Sequence, residues 1–415
     1  MLLSSLLYRT GRTATIEPLV LGYPPILNPH PQSSILHPRF SRMALVLYRK
    51  YRPKSFEELV GQEHVVGTLR NALRLGRIGH AYLFVGPRGT GKTTVARLLA
   101  KSVNCERGAA DGDACNACIQ CQAFLASNHP DLVEVDAASN RGVDEIRQLR
   151  EGARVTPLQA QRKVYVIDEA HMLTQPAVNA LLKILEEPPQ HVIFVLATTD
   201  VEKLPVTILS RCQRFDFRLL TIPEITGRLQ SLAAAEHAAI DADAIDLLAQ
   251  AADGSVRDGE SLLEQVLAFL GERATRDEVT RLLGIPDPLV VREIADALFS
   301  GDAARALEGV ASVMERGGDA TVLATRLASY LRDVLLLNAD PNLGEIIERR
   351  SGAAHIQGAL AHAQEADQRF LLKAVPKFID AVELTKRSPI PQLPIELAIV
   401  EMTASQSEIS QAAQA

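Results

Sequence analysis

A chain of 415 residues has room for two or three domains, and 47% apolar with 23% charged residues is an ordinary globular composition with enough material for a sizeable core. No apolar run approaches the ~18 residues of a membrane-spanning helix, and a net charge of -6 argues against holding nucleic acid by bulk charge, although local basic surfaces are compatible with it. Trp is absent and aromatics are 4%, which disfavours base recognition on aromatic platforms.

Residues 1–42 differ in character from the rest of the chain. They open on the Leu-rich Met1–Leu7, carry four Arg and one acid, and scatter six prolines with no helical or alternating period. The apolar stretch is short, broken by serines and placed ahead of the first Arg, which does not fit a signal peptide. The segment is expected to be a disordered extension, or to lie ahead of a true start at Met43, with an Arg-rich organellar presequence as the alternative.

Ala81–Val85 is an apolar run bounded by Gly86, the pattern of a buried parallel strand. It feeds Gly86-Pro87-Arg88-Gly89-Thr90-Gly91-Lys92-Thr93, which satisfies G-x-x-x-x-G-K-[ST] at every fixed position, and Thr94–Ala100 continues with helical character. In that setting, backbone amides wrap phosphate oxygens and the helix N-terminus adds partial positive charge. Lys92 is expected to reach the β- and γ-phosphates, and the Thr93 hydroxyl to bind Mg²⁺. A chance glycine turn is the competing reading, and the strand and helix around the loop speak against it.

The four cysteines Cys105, Cys115, Cys118 and Cys121 fall within seventeen residues, and the fifth, Cys212, stands alone. A secreted disulfide framework does not look like this in so long a chain. Four thiolates close a tetrahedral Zn²⁺ site, and the Gly/Asp/Ala-rich loop from Glu106 to Ala114 has no apolar core of its own. A structural zinc site is expected; disulfide exchange is the alternative, without a thioredoxin-like context to support it.

Leu132–Asp136 reads as another strand, and Lys163–Ile167 as a third that ends in Asp168-Glu169-Ala170-His171. An acid at the carboxyl end of a strand beside a P-loop is the expected second Mg²⁺ contact, and Glu169 is the natural base for a water at the γ-phosphate. Val192–Ala197 is the fourth strand and ends in Thr198-Thr199. It is expected between the P-loop strand and the acid-bearing strand, so that either Thr could sense the γ-phosphate or orient the water; two hydroxyls capping a strand end is an equally good local reading. Ser210-Arg211-Cys212 and Gly254-Ser255-Val256-Arg257 each present an Arg that could read phosphate, against the plain alternative of a surface or helix-end arginine.

From Met43 onward the chain resembles the gamma/tau ATPases of bacterial DNA polymerase III clamp loaders, an AAA+ family. The likeness rests on Tyr48–Phe56 with Val60-Gly61-Gln62, the P-loop, the cysteine insertion directly after its helix, and Asp136-Ala137-Ala138-Ser139. It continues in Asp168–Leu173, Asn179–Lys183 running to Glu186-Glu187-Pro188-Pro189, and Leu209–Cys212. The resemblance implies an α/β P-loop domain over 43–221 with strand order 5-1-4-3-2 and a zinc insertion at 105–121. A helical lid over 222–284, an all-α collar over 285–404 and a polar tail over 405–415 would follow. It also makes Arg211 a finger acting in trans on a neighbouring subunit, and Arg257 a second sensor. Tyr48 to Gln62, including Tyr48, Arg52 and Val60, would wrap the adenine and ribose of ATP. Helices opening near Ser139 and after Lys92 would face primed DNA. One departure is Gly259-Glu260-Ser261, where the family more often has Ala-Leu-Ser.

The implied function is that of a cytoplasmic ATPase that opens a ring clamp and sets it on primed DNA. The implied partners are delta and delta-prime subunits, the beta sliding clamp, further gamma/tau copies in a hetero-pentamer, and no membrane. With its end at Ala415, the chain resembles the short gamma form. A non-hydrolysing scaffold subunit is disfavoured because Lys92, Thr93, Asp168 and Glu169 are all present, and a branch-migration motor because of the cysteines and Ser210-Arg211-Cys212. No polymerase carboxylate constellation is evident, so a polymerase label would come from the holoenzyme served.

Between Leu219 and Leu283 the pattern is of short amphipathic helices, Gly284–Pro288 reads as a linker, and Leu289–Phe299, Ala303–Arg316 and Thr321–Leu337 as helices beyond it.

Overall fold

Continuous apolar runs become strands here because both faces of their sheet are covered. The computed structural model describes residues 46–108, 111–351 and 353–414, so the reading of residues 1–42 lies outside the described residues. Helices α1 (Leu47–Lys50) and α2 (Glu63–Arg74) precede strand β1 (Ala81–Val85), which runs through the glycine loop into helix α3 (Lys92–Val103). Helix α4 (Ile119–Leu125), strand β2 (Leu132–Asp136), helix α5 (Val143–Arg154) and strand β3 (Lys163–Asp168) follow. Helix α6 (Gln175–Glu186), strand β4 (Val192–Thr198), helix α7 (Val206–Leu209) and strand β5 (Gln213–Asp216) complete the unit.

All pairings in this sheet are parallel and the order is β2-β3-β4-β1-β5, the expected arrangement. Leu83 pairs with Leu196 and Tyr165 with Phe194, so β4 lies between the P-loop strand and the strand carrying Asp168. Crossover helices bury β1 and β4 along their whole length, which removes any need for alternation. Ile146, Leu149 and Leu181 of α5 and α6 pack on one face with Leu83, Ile167 and Leu196. Val65, Leu69, Val95 and Leu99 of α2 and α3 pack on the other with Phe84, Val166 and Val195. The carboxyl ends of β1, β3 and β4 therefore converge at one rim, where ligands of open α/β sheets bind.

A second core gathers Ile225, Leu229, Leu248, Leu263 and Val279. It is built by α8 (Ile222–Ala235), β6 (Ala239–Ile240), α9 (Ala242–Ala251), α10 (Val256–Leu270), β7 (Arg273–Ala274) and α11 (Arg276–Leu283). The sequence pattern predicts helices alone; the structure adds a short parallel pair, with Ala239 opposite Arg273 and Ile240 opposite Ala274. Leu47 of α1 is buried in this core and its amide donates to Glu264 at 3.3 Å, so the start of the described chain is anchored among these helices.

Gly284, at φ 59°, closes α11, and Asp287 caps α12 (Pro288–Ser300) by accepting the Leu289 amide at 2.9 Å. Helices α13 (Ala303–Glu315), α14 (Ala320–Ala339), α15 (Gly344–Ser351), α16 (Ala353–Glu365), α17 (Gln368–Thr385) and α18 (Leu393–Gln414) follow. Their core centres on Leu327, Leu331 and Val334 of α14 against Phe370, Leu371 and Phe378 of α17 and Ile395 of α18. Residues 405–414, read from sequence as a polar tail, continue α18. Among the described residues no helix is long and apolar enough to cross a membrane.

Candidate functional site

Strand β1 brings Gly86 against β5's exit, where a Cβ would lie 2.3 Å from the Phe217 carbonyl oxygen; only glycine fits that approach. Gly91, at φ 99°, then turns the chain into α3. The loop opens on a cavity of about 1070 Å³ lined by Arg88, Gly89, Thr90, Gly91, Lys92, Thr93 and Thr94. Tyr48, Arg52, Val60, Asp168, Glu169 and Arg257 also line it. Gly86 and Pro87 do not line it themselves; their carbonyls accept the Lys92 ammonium at 2.7 and 2.8 Å. Lys92 is only 5% exposed. Its burial lowers the pKa, against the pull of the Glu169 and Asp168 carboxylates.

Thr93 at the start of α3 donates its hydroxyl to Asp168 at the end of β3 at 2.8 Å, so two groups 75 positions apart form one oxygen pair. Such a pair suits a hard cation that takes oxygen ligands, and Mg²⁺ is the fit for a site beside phosphate. Glu169 sits in the left-handed region at φ 48°, an uncommon place for a non-glycine residue. Its carboxylate accepts the Thr199 hydroxyl at 3.0 Å and lies 3.4 Å from His171 Nδ1.

The two threonines part company. Thr198 is fully buried, bonds His171 Nδ1 at 2.9 Å and closes the turn to Asp200, whereas Thr199 faces Glu169. Arg257, in the first turn of α10, places its guanidinium 4.8 Å from the Tyr48 ring centroid. Its hydrogen bond to the phenol lowers the Tyr48 pKa. The helix seats on the P-loop closely: a Cβ on Gly89 would lie 1.9 Å from Ser255 Oγ. Arg211 is not brought to this cavity; it donates to Glu186 at 2.7 Å and to the Thr207 carbonyl at 2.8 Å.

The Sγ atoms of Cys105, Cys115, Cys118 and Cys121 all lie within 4.8 Å of one another, and Cys115 and Cys121 are 3.9 Å apart. Tetrahedral zinc with bonds of about 2.3 Å sets thiolates roughly 3.8 Å apart, so the donor set fits that ion. Backbone amides of Cys115, Cys118 and Cys121 each donate to a preceding cysteine sulfur at 3.4 Å. Amides of Ala117 and Cys118 draw the Cys115 pKa down to about 6, toward the thiolate a metal needs. Among the described residues of this loop, the packed apolar ones are Ala114 and the cysteines themselves.

Family models match in three consecutive blocks. "DNA polymerase III, delta subunit" covers residues 61–221, "DNA polymerase III clamp loader subunit, ATPase lid domain" covers 224–272, and "DNA polymerase III subunits gamma and tau domain III" covers 274–414. DNA polymerase III subunit tau of Bacillus subtilis is 44% identical over 303 residues, 73% of this chain and 54% of that protein. Subunit gamma/tau of Mycobacterium tuberculosis is 45% identical over 302 residues (72% and 52%), and subunit tau of Escherichia coli 42% over 296 residues (71% and 46%). The chain belongs to the DNA polymerase III gamma/tau clamp-loader family.

It spans about half the length of the curated gamma/tau relatives it matches. One part of this gamma/tau site escapes the sequence. Arg228 on α8 donates to Glu260 on α10 at 2.9 Å and to the Tyr51 carbonyl at 2.5 Å, and both side chains line the cavity. Burial raises the Glu260 pKa, and Arg228 opposes the rise. The departure Gly259-Glu260-Ser261 is the available signal, but its partner lies 32 positions away. His171, which touches both Glu169 and Thr198, is likewise not marked as a site residue by any spacing.

Proposed function

We propose that this chain is an ATPase motor subunit of the DNA polymerase III clamp loader, which opens a ring clamp and sets it on primed DNA. The observation that carries the reading is the convergence of Lys92, the Thr93–Asp168 pair, Glu169 and, from α10, Arg257 on the lining of one cavity. ATP is the nucleotide, with Tyr48, Arg52 and Val60 around the base and ribose and the Gly86–Thr94 loop around the phosphates. Lys92 exchanges the loop carbonyls for β- and γ-phosphate oxygens. Thr93 and Asp168 would hold Mg²⁺, which would supply charge neutralisation at the phosphates. Glu169 takes a proton from the water that bonds to the γ-phosphorus as the bond to the bridging oxygen breaks and ADP leaves.

Thr199 orients Glu169, and Thr198 holds the turn from which Thr199 projects. Arg257 couples lid closure to the γ-phosphate, and Arg211 serves a neighbouring subunit's site. Cys105, Cys115, Cys118 and Cys121 would hold Zn²⁺, which would supply order to the 105–121 insertion. The proposed partners are delta and delta-prime subunits, further gamma/tau copies in a pentamer, the beta clamp and primed DNA in the cytoplasm. Any polymerase activity belongs to the holoenzyme served. The helices opening near Ser139 and after Lys92 would face primed DNA, where backbone amides hold phosphates without reading bases.

The deciding experiment is ATPase turnover of the purified complex with and without the sliding clamp and primed DNA. Stimulation by both, lost in Lys92→Ala, is expected; turnover indifferent to clamp and DNA would reject the loader reading.

A further inference from the structure

Loop residues of the cysteine cluster hold one wall of the nucleotide cavity. Between Cys105 and Cys115, Asp113 accepts the Phe56 amide at 2.6 Å with one oxygen and the Ala114 amide at 2.8 Å with the other. Between Cys115 and Cys118, Asn116 accepts a hydrogen bond from the Lys101 ammonium, which also donates to the Lys54 carbonyl. Lys101 is 2% exposed and belongs to the last turn of α3, the helix that begins at Lys92. The segment so held contributes Arg52, Pro53 and Lys54 to the cavity lining, and Phe56 to the core under α2 and α3.

The insertion grips the body a second time. Asp111 accepts Arg70 at 3.1 Å through its carbonyl, and Gly112, at φ 78°, comes so near Arg70 that a Cβ would lie 2.6 Å from its carbonyl oxygen. All of these anchors sit on a loop whose packed interior, among the described residues, is the cysteine set with Ala114.

We propose that metal loading of Cys105, Cys115, Cys118 and Cys121 sets nucleotide affinity, with Asp113 and Asn116 as positioning residues that hold the Arg52–Phe56 strap in its binding geometry. The inference rests on the nucleotide-binding reading of the cavity. A loop without its own apolar core is ordered by its metal. With the metal gone, Asp113 and Asn116 have no fixed place, and the buried Lys101 ammonium loses one of two acceptors. The strap then populates the competent arrangement only part of the time, and apparent affinity falls by that fraction.

The test measures equilibrium binding of a fluorescent ATP analogue to the full chain, with zinc content determined on the same samples. The forms compared are zinc-loaded, chelator-stripped and reloaded protein, and Asp113→Ala, which leaves all four thiolates in place. Stripping is expected to weaken binding about tenfold or more and reloading to restore it; Asp113→Ala should keep its zinc and stay folded at the assay temperature yet bind about tenfold more weakly. Asp113→Asn, which retains an acceptor for the Phe56 amide, should recover most of the affinity. If the stripped protein unfolds, the Asp113 pair decides. Undiminished affinity in Asp113→Ala, with wild type binding and Lys92→Ala not, overturns the coupling and leaves the nucleotide site standing. Absence of binding by wild type overturns the site reading itself, and absence of zinc in the loaded protein overturns the metal's part.

Discussion

Thr199 donates its hydroxyl to the Glu169 carboxylate at 3.0 Å, which fixes the proposed base from the strand next to its own. Glu169→Gln should therefore bind ATP as wild type does while single-turnover hydrolysis falls about 10²–10⁴-fold, the usual contribution of a general base. Thr199→Ala keeps the carboxylate but not its orientation, so a smaller loss of about tenfold is expected. Thr198→Ala should instead show itself in thermal stability, since that hydroxyl is fully buried and bonded to His171 and Asp200. Equal hydrolysis in Glu169→Gln and wild type would remove Glu169 from the mechanism.

The lid's first helix carries a pH-dependent anchor. Glu224 accepts both Arg218 Nη atoms, at 2.9 and 2.7 Å, and the Thr221 amide at 2.7 Å. Arg218, and after it the Thr221 amide, draws its pKa from 4.5 to about 2. A carboxyl whose folded pKa is depressed stabilises the fold above its unfolded value, and that stabilisation drains away as pH falls from 4.5 toward 2. The Arg218 side chain is 42% exposed, so solvent screening reduces the effect to about 1 kcal/mol. Denaturant unfolding across that window should show the loss in wild type, and Glu224→Gln should have a flatter profile.

Removing one thiolate tests the cluster as a metal site. Cys121 is fully buried among the other three cysteines. The prediction is one zinc per chain in wild type and little or none in Cys121→Ser, measured by elemental analysis. Limited proteolysis should then cut within 105–121 in the variant first. Full zinc content in Cys121→Ser would mean that the ion sits elsewhere.

What the sequence disclosed of this fold follows burial. β1 and β4 are covered on both faces, so each reads as an unbroken apolar run. β5 is an edge strand whose Gln213, Arg214 and Asp216 are exposed and only Phe215 buried, so nothing local marks it; the family likeness alone supplied a fifth strand. The pair β6 and β7 has two residues per strand, too few to show a period. In the site, a fixed spacing carried the P-loop and the cysteines. The direction of Thr199, the Arg228–Glu260 pair and the grip of Asp113 on Phe56 depend on segments that meet only in three dimensions.

Arg211 offers the sharpest separation between binding and turnover. Its guanidinium lies outside its own cavity, bonded to Glu186 and to the Thr207 carbonyl. The Arg211–Glu186 ion pair is about one third and one half exposed, and pairs of that kind contribute about 0–1 kcal/mol, so exchanging Glu186 for a phosphate costs little. Arg211→Ala should leave the melting temperature and the nucleotide affinity of the isolated chain unchanged. In the assembled complex, where a neighbour's γ-phosphate would be its target, hydrolysis should drop roughly 10³-fold or more. Arg211→Lys should restore little of it, because a compact ammonium lacks the planar fork that matches phosphate oxygens. Glu186→Ala, which frees the guanidinium, should be neutral or slightly faster. Loss of nucleotide binding by the isolated Arg211→Ala chain, or full turnover by the complex assembled from it, would each exclude a role in trans.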